Sequence, residues 1–118
     1  MGPRDTPPVA YDEELADRIR EVVEGEPGLT EKAMFGGLCW LLDGKLLCAA
    51  SGKGLMVRLG KGEDGWALAH PEVLTVVMGE RAMPGWVRVS PAASRDDEVL
   101  RRMLMTKAVA FVRTLPPK

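Results

Sequence analysis

The stretch MFGGLCWLLDGKLLC, residues 34–48, decides the fold of this chain. It consists of two apolar runs joined by Asp43-Gly44. An Asp-Gly pair suits the type I′ turn of a hairpin, because both central residues of that turn need a positive φ. We therefore predict a β-hairpin over residues 34–49 that turns at Asp43-Gly44.

The register of this hairpin decides what its two cysteines can do. A two-residue turn pairs Leu42 with Lys45 and, counting outward, Cys39 with Cys48 on a non-hydrogen-bonded site, where Cα atoms are about 4.5 Å apart. That separation is near the lower limit for a disulfide. One interpretation is a redox-sensitive cross-strand pair of Cys39 and Cys48. The other is that both are small buried apolar residues that stay reduced in the cytosol.

The rest of the chain alternates helical and strand patterns. The first helix begins at Asp12, a good N-cap residue, and ends at Gly25, with apolar residues at helical spacing between them. Strands are predicted at about 31–42, 45–51, 55–59, 73–80 and 85–90, a short helix at about 66–69, and a last helix at about 95–114. Ser94 and Asp97 resemble the capping box of this last helix.

These elements predict an α+β fold of two layers. Its single, mainly antiparallel sheet has about five strands with helices on one face, in the order α-β-β-β-α-β-β-α. Alternation places Leu55, Val57 and Val89 toward the helices, and Arg58, Trp86 and Arg88 on the open face. The hairpin is apolar on both sides, which is typical of a sheet covered on both faces. We therefore expect a symmetric homodimer across the open face.

Four parts of the chain resemble the TfoX/Sxy N-terminal domain family. They are the hairpin stretch, GLMVRLG at 54–60, MPGWV at 83–87 and a final helix running into LPPK at 115–118. The resemblance covers about residues 10–118. It implies the same α+β fold, as a single domain over 10–118 after a flexible segment at 1–9. The family is named for competence regulators, in which a second, C-terminal domain follows. Here we expect the N-terminal domain to stand alone.

Composition limits the classes of partner. The chain has 118 residues, enough for one domain with its own core, and 16 basic against 17 acidic residues give a formal net charge of −1. No general attraction to phosphate backbones follows from that balance, so we expect no direct DNA binding. No apolar run is long enough to cross a bilayer and no leader pattern opens the chain. We expect a cytoplasmic protein with no membrane contact.

The residue types that carry catalysis are scarce. The single histidine, His70, precedes Pro71 and is expected to end the short helix, and with two cysteines it forms no zinc-site spacing. The sequence SGKG at 51–54 lacks the first glycine and the final Ser/Thr of a phosphate loop and is predicted to be a β-turn. No cofactor, metal or enzymatic activity is predicted.

Two functional hypotheses remain open. The first is a non-enzymatic regulatory or adaptor domain that binds a protein partner through the open sheet face. The residues proposed for that contact are Met34, Phe35, Gly36, Gly37, Arg58, Trp86 and Arg88, because Trp and Arg are enriched at binding hot spots and paired glycines mark a bulge or a close approach. An ordinary amphipathic surface is the competing interpretation of the Trp and Arg residues. The second hypothesis is a sensor of a small anionic ligand or nucleotide, with Lys53, Arg58 or Arg88 meeting the anion.

Overall fold

A computed structural model describes residues 13–34 and 36–116 of the chain. Over these residues it contains four helices and six strands. In chain order they are α1 (Glu13–Val23), β1 (Leu29–Met34), β2 (Gly37–Leu42), β3 (Lys45–Ser51), β4 (Gly54–Arg58), α2 (Gly65–Leu68), β5 (Val73–Met78), β6 (Arg81–Val89), α3 (Pro91–Asp96) and α4 (Glu98–Thr114). The predicted segment at 1–9 and the predicted N-cap Asp12 lie outside the described residues.

The strands form one antiparallel sheet in the order β1-β2-β3-β4-β6-β5. Helix α4 packs against β3 and β4, and α1 packs against α3 and α4. Side chains from the sheet face beneath them, such as Trp40, Leu55 and Val87, are fully buried and join the apolar sides of α1 and α4 in a single core. The predicted α+β class is confirmed, with the helices on one face of the sheet.

The predicted number of strands is too low. Residues 31–42, predicted as one strand, are divided between β1 and β2, and Gly36 takes a φ of 76° in the turn between them. Strand β1 lies at the edge of the sheet, and Glu31 and Lys32 are exposed. Its polar sequence lacks the alternation that marks a half-buried strand, but charged residues are common on edge strands, where they oppose pairing with other chains.

The β2–β3 hairpin has the predicted turn but not the predicted register. Asp43 and Gly44 both have positive φ, 51° and 80°, as a type I′ turn requires. Beyond the first two pairs, a β-bulge shifts the pairing, so that Trp40 lies opposite Cys48 and Leu47 is the extra residue. The predicted pairing of Cys39 with Cys48 is therefore wrong.

The bulge adds one side chain to the core. Leu47 and Cys48 are consecutive in β3, yet both are fully buried members of the core under the helices. In a regular strand, consecutive side chains point to opposite faces, so only one of them could do so. The register slip thus increases the apolar volume beneath α4.

The C-terminal ends of the first and last helices agree with the prediction, but the start of the last helix does not, because the separate helix α3 precedes α4. Gly25 follows α1 with a φ of 85°, and Leu115 caps the last helix before Pro116. The predicted cap at Ser94 is wrong, because Ser94 is buried within α3 and its hydroxyl bonds to the backbone of Val89 and Leu55. Asp97 caps α4 instead, where its side chain accepts from the N–H of Leu100 at 3.0 Å.

A polar cluster ties α1 to the sheet edge. The guanidinium of Arg20 donates two hydrogen bonds of 2.8 Å to the carboxylate of Glu31. The indole N–H of the buried Trp40 donates to the same carboxylate at 3.0 Å. The Arg20 hydrogen bonds, aided by that of Trp40, lower the pKa of Glu31, although burial acts in the opposite direction.

Candidate functional site

The open face of the sheet is concave and holds a groove of about 760 Å³. Its lining includes Cys39 of β2, Leu46 and Ala49 of β3, Met56 of β4 and Trp86 of β6. Most of its surface is apolar. A volume of this size lies within the range of about 300–1,000 Å³ that is typical of small-molecule sites.

The concavity originates in an irregularity of β6. Val87 lies opposite Thr75, but the next β5 residue, Val76, lies opposite Met83. Residues 84–86 of β6 therefore face no residue of β5. Proline has no N–H for a ladder hydrogen bond, so its presence at position 84 suits this unpaired stretch.

Gly85 holds the irregular stretch against the neighbouring loop. Its N–H donates to the carboxylate of Asp64 at 3.1 Å, and its carbonyl accepts from the N–H of Leu59 at 2.7 Å. Gly85 has a φ of 88°, and a Cβ at this position would collide with the backbone of Gly60 and Lys61. Glycine is therefore required here both by conformation and by space.

The outer part of the β5–β6 hairpin curls over the open face as a result. Val76, Met78 and Met83 of this hairpin line the groove together with Trp86. Val76 is only 1% exposed. The open face of the sheet is thus concave at this hairpin.

The groove is positively charged at two positions. Lys53, in the β3–β4 turn, and Arg88, opposite Met56, both belong to its lining. Among its lining residues that the structure describes, none is a carboxylate. Neither cation forms an ion pair with a carboxylate of the described chain. Both positive charges are therefore available to an incoming anion.

The three residues Arg58, Trp86 and Arg88 do not act as one surface. The guanidinium carbon of Arg58 lies 5.4 Å from the ring centroid of Trp86 and 5.8 Å from that of Phe111. Arg58 also donates to the carbonyl of Leu46 at 3.3 Å, and it is not part of the groove lining. Arg58 thus supports the ring of Trp86 through cation–π contacts, whereas Trp86 and Arg88 face the groove.

The two cysteines lie on opposite faces of the sheet. Cys39 lines the groove, although only 1% of it is exposed, while Cys48 belongs to the core under the helices. Both thiols are free. Burial raises the pKa of each thiol, and the proximity of Cys39 adds a smaller upward effect on the pKa of Cys48. Both remain protonated at neutral pH, which lowers their reactivity.

Both glycines of the MFGG segment, Gly36 and Gly37, belong to the groove lining. A Cβ on Gly37 would collide with the carbonyl of Ala50. The predicted close approach between backbones is therefore confirmed at Gly37. The side chain of Met34 and all of Phe35 lie outside the described residues.

His70 lies at the junction of α2 and β5, just after the helix that it was predicted to end. Its Nδ1 accepts from the N–H of Glu72 at 3.3 Å, and its Nε2 lies 3.6 Å from Asp97. Over the part of the chain that the structure describes, no three His, Cys, Asp or Glu side chains come together in a way that could hold a metal ion. The predicted β-turn at 51–54 is confirmed, since Gly52 and Lys53 connect β3 directly to β4.

The comparison with known families agrees with these features. Residues 21–111, most of the chain, match the family described as TfoX N-terminal domain. The chain belongs to this family. No curated protein and no solved structure gave a match. The TfoX N-terminal domain is a regulatory domain family, so the chain is a competence-regulator-like domain.

Two parts of the groove in this TfoX N-terminal domain escaped sequence reasoning. Val76 and Met83 were assigned to no site. Val76 shares the face of Leu74, two residues before it in β5, by simple alternation, whereas Met83 reaches this face through the irregularity at residues 84–86. The pair Pro84-Gly85 inside a run of high β propensity was the available signal, since both residues mark bulges in strands.

Among the described helices of the TfoX N-terminal domain, none is long and apolar enough to cross a membrane.

Proposed function

We propose that the chain is a non-enzymatic regulatory domain that acts by binding a protein partner in the groove of the open sheet face. The observation that carries this proposal is the groove itself, an apolar concavity of about 760 Å³ on the face without helices. It presents Trp86 and Arg88, residue types that dominate binding hot spots. An apolar concavity with few polar groups suits binding better than acid–base chemistry.

Exposed apolar residues beside the groove support a protein as the partner. Leu74 of β5, which lies opposite Arg88 of β6, is 69% exposed. Met78, at the end of β5, is 51% exposed. An extended apolar edge strand next to a groove is typical of surfaces that contact other chains. The same edge supports the proposed homodimer, which sedimentation equilibrium tests directly. A mass of one chain at all concentrations would contradict it.

The test of partner binding uses two tryptophans as a matched pair. Trp86 lines the groove, whereas Trp66 lies on α2 outside it and is 37% exposed. Tagged wild-type protein and the Trp86→Ala, Arg88→Ala and Trp66→Ala variants are used to capture partners from the extract of the native cell. We expect the two groove variants to lose a protein that wild type and Trp66→Ala retain.

Thermal unfolding of the same variants separates binding from folding. Trp86 is half-buried and its ring contacts Arg58, so Trp86→Ala is expected to cost more than the about 1 kcal/mol of an exposed cation–π contact, because the burial of the ring is lost as well. If the groove variants unfold at the capture temperature, the test moves to Arg88→Met, which retains an apolar stem. A partner that every variant retains would place the interaction elsewhere and contradict the proposal.

A second candidate function is a sensor of a small anionic ligand. The unpaired cations Lys53 and Arg88, in a lining without carboxylates, support it. A ligand at 100 times its Kd adds about 2.7 kcal/mol to the free energy of unfolding, which a thermal-shift screen detects easily.

The cytoplasmic location and the absence of direct DNA binding remain predictions from the composition of the chain.

A further inference from the structure

The charges of the groove are concentrated toward one end. The pairing of Ser51 with Gly54 closes the β3–β4 turn that contains Lys53. Arg88 lies opposite Met56, two residues along β4 from Gly54. From there β4 runs away from the turn. Lys53 therefore lies at the turn end of the groove, and Arg88 lies opposite the middle of β4, nearer to the turn than Trp86.

Three glycines lie at the same end among the described residues. Gly36, Gly37 and Gly52 line the groove there, and Gly37 approaches Ser51 closely. Gly36 and Gly52 are exposed, and no Cβ projects from them into this end of the groove. The turn end can therefore accommodate a small charged group.

The opposite end is apolar. Trp86 lies opposite Arg58, at the far end of β4, and Leu46 lies near the start of β3 on the same side. Met83 and Val76 of the curled hairpin line the groove beside them. Methionine side chains adapt to apolar ligands of different shapes, and the groove has three of them.

We infer that the groove binds a single-chain anionic amphiphile, whose head group lies near Lys53 and Arg88 and whose chain lies along Met56 toward Met83 and Trp86. This inference rests on one premise of the proposed function, namely that the groove is the binding site. A carboxylate or phosphate head group meets two unpaired cations and no competing carboxylate. A cationic head group would meet only like charge.

The lining also distinguishes an amphiphile from a nucleotide. Apart from Lys53 and Arg88, the polar side-chain groups of the described lining residues are the hydroxyl of Ser51, the indole N–H of Trp86 and the weakly polar thiol of Cys39. A base and a ribose need several more hydrogen-bond partners than these, because polar groups that lose water without new partners cost binding energy. An acyl chain needs none.

The test is an NMR titration of the ¹⁵N-labelled chain with three probes that share one alkyl chain. Decanoate, 1-decanol and decylammonium are added below the concentrations at which they form micelles. The three indole N–H signals serve as reporters, because Trp86 lines the groove while Trp40 is fully buried in the core and Trp66 lies on α2. We expect decanoate to shift the Trp86 signal and to bind at least about tenfold more tightly than 1-decanol, in keeping with a charge-assisted hydrogen bond.

Charge variants test where the head group lies. Lys53→Met and Arg88→Met, singly and together, are expected to bring the affinity for decanoate down to that for 1-decanol, while the affinity for 1-decanol stays the same. Lys107→Met removes an exposed cation of α4 outside the groove and serves as the control. Its affinities are expected to equal those of wild type.

The outcomes separate this inference from the proposed function. Equal binding of all three probes at Trp86 would overturn the anionic head group and leave the groove as a binding site. Shifts confined to Trp66, or no binding of any probe, would overturn the amphiphile altogether. In that case partner capture by wild type and its loss in Trp86→Ala still decide the proposed function on their own.

Discussion

The β2–β3 and β5–β6 hairpins are both irregular, and their irregularities have opposite consequences. In the first, the single extra residue Leu47 turns toward the helices and enlarges the core. In the second, residues 84–86 are unpaired with β5, and the hairpin curls over the open face and encloses the groove. Bulges bend strands and redirect side chains. The same kind of irregularity therefore contributes to the core in the first hairpin and to the candidate site in the second.

The largest effect is expected at Leu47. Leu47→Ala leaves a cavity in the core, because the side chain is fully buried, and should lower the free energy of unfolding by about 2–5 kcal/mol. Urea unfolding followed by circular dichroism measures it. The neighbouring Leu46 is half-buried and faces the groove, so Leu46→Ala should cost clearly less. Equal losses at the two positions would contradict the division of faces at the bulge.

The next effect concerns the second hairpin. Gly85→Ala forces a side chain into a φ of 88° and against the backbone of Gly60 and Lys61. The conformational strain alone costs about 1–3 kcal/mol, and relief of the clash must displace the curled hairpin. The variant should therefore lose stability and also change the NMR signal of the Trp86 indole.

Gly79→Ala is the matched control for this variant. Gly79 lies in the turn of the same hairpin with a φ of 62°, but a Cβ there would meet nothing within 4 Å. It should cost about 1 kcal/mol and leave the Trp86 signal in place. A groove that survives Gly85→Ala unchanged would show that this glycine does not set the curl.

Local signals predicted the turn of the first hairpin, but they placed the turn of the second, at residues 79–80, inside a strand, and they predicted neither irregularity. The Asp43-Gly44 turn and the alternation of β4 were predicted correctly, because each depends on residues adjacent in sequence. The slip at Leu47 left no trace in the pattern, since Leu46, Leu47 and Cys48 are all apolar and either face would accept them. Strand β1 was not separated from β2, because it is too polar to show an alternation of its own.

The candidate site was predicted in part. Trp86, Arg88, Gly36 and Gly37 were named from the sequence and do line one groove. Arg58 was grouped with them because alternation places it on the same face, but alternation does not show that two aromatic rings hold its guanidinium. The contribution of the curled hairpin depends on the tertiary contacts of Gly85 with the 59–64 loop, which no local pattern encodes.

A smaller effect should arise where polar contacts tie β1 to α1. The pKa of Glu31 is lowered in the folded state, chiefly by the hydrogen bonds of Arg20. Its carboxylate therefore adds stability above its unfolded-state pKa of about 4.3, and this contribution disappears as the pH falls through the folded-state value. Glu31→Gln removes the charge but keeps an acceptor for the indole N–H of Trp40.

The expected cost of Glu31→Gln at pH 7 is below about 1 kcal/mol, because the ion pair is partly exposed to water. Urea unfolding from pH 7 to pH 3 should show the stabilities of wild type and variant converging at acid pH. A double-mutant cycle with Arg20→Met assigns the effect to this pair. A difference that grows toward acid pH would contradict the assignment.

The smallest effect is expected at the two cysteines, and it tests the register of the first hairpin directly. A hairpin without the bulge would place Cys39 opposite Cys48, where mild oxidation with diamide could join them. With the bulge, Cys39 lies opposite Ala49 and the two thiols leave opposite faces of the sheet. We therefore expect peptide mapping without reductant, after brief oxidation of the folded protein, to find no Cys39–Cys48 disulfide. Protein unfolded in urea provides the positive control, because both thiols are then accessible. A disulfide that formed equally fast in the folded protein would support a hairpin without the bulge and contradict the observed register.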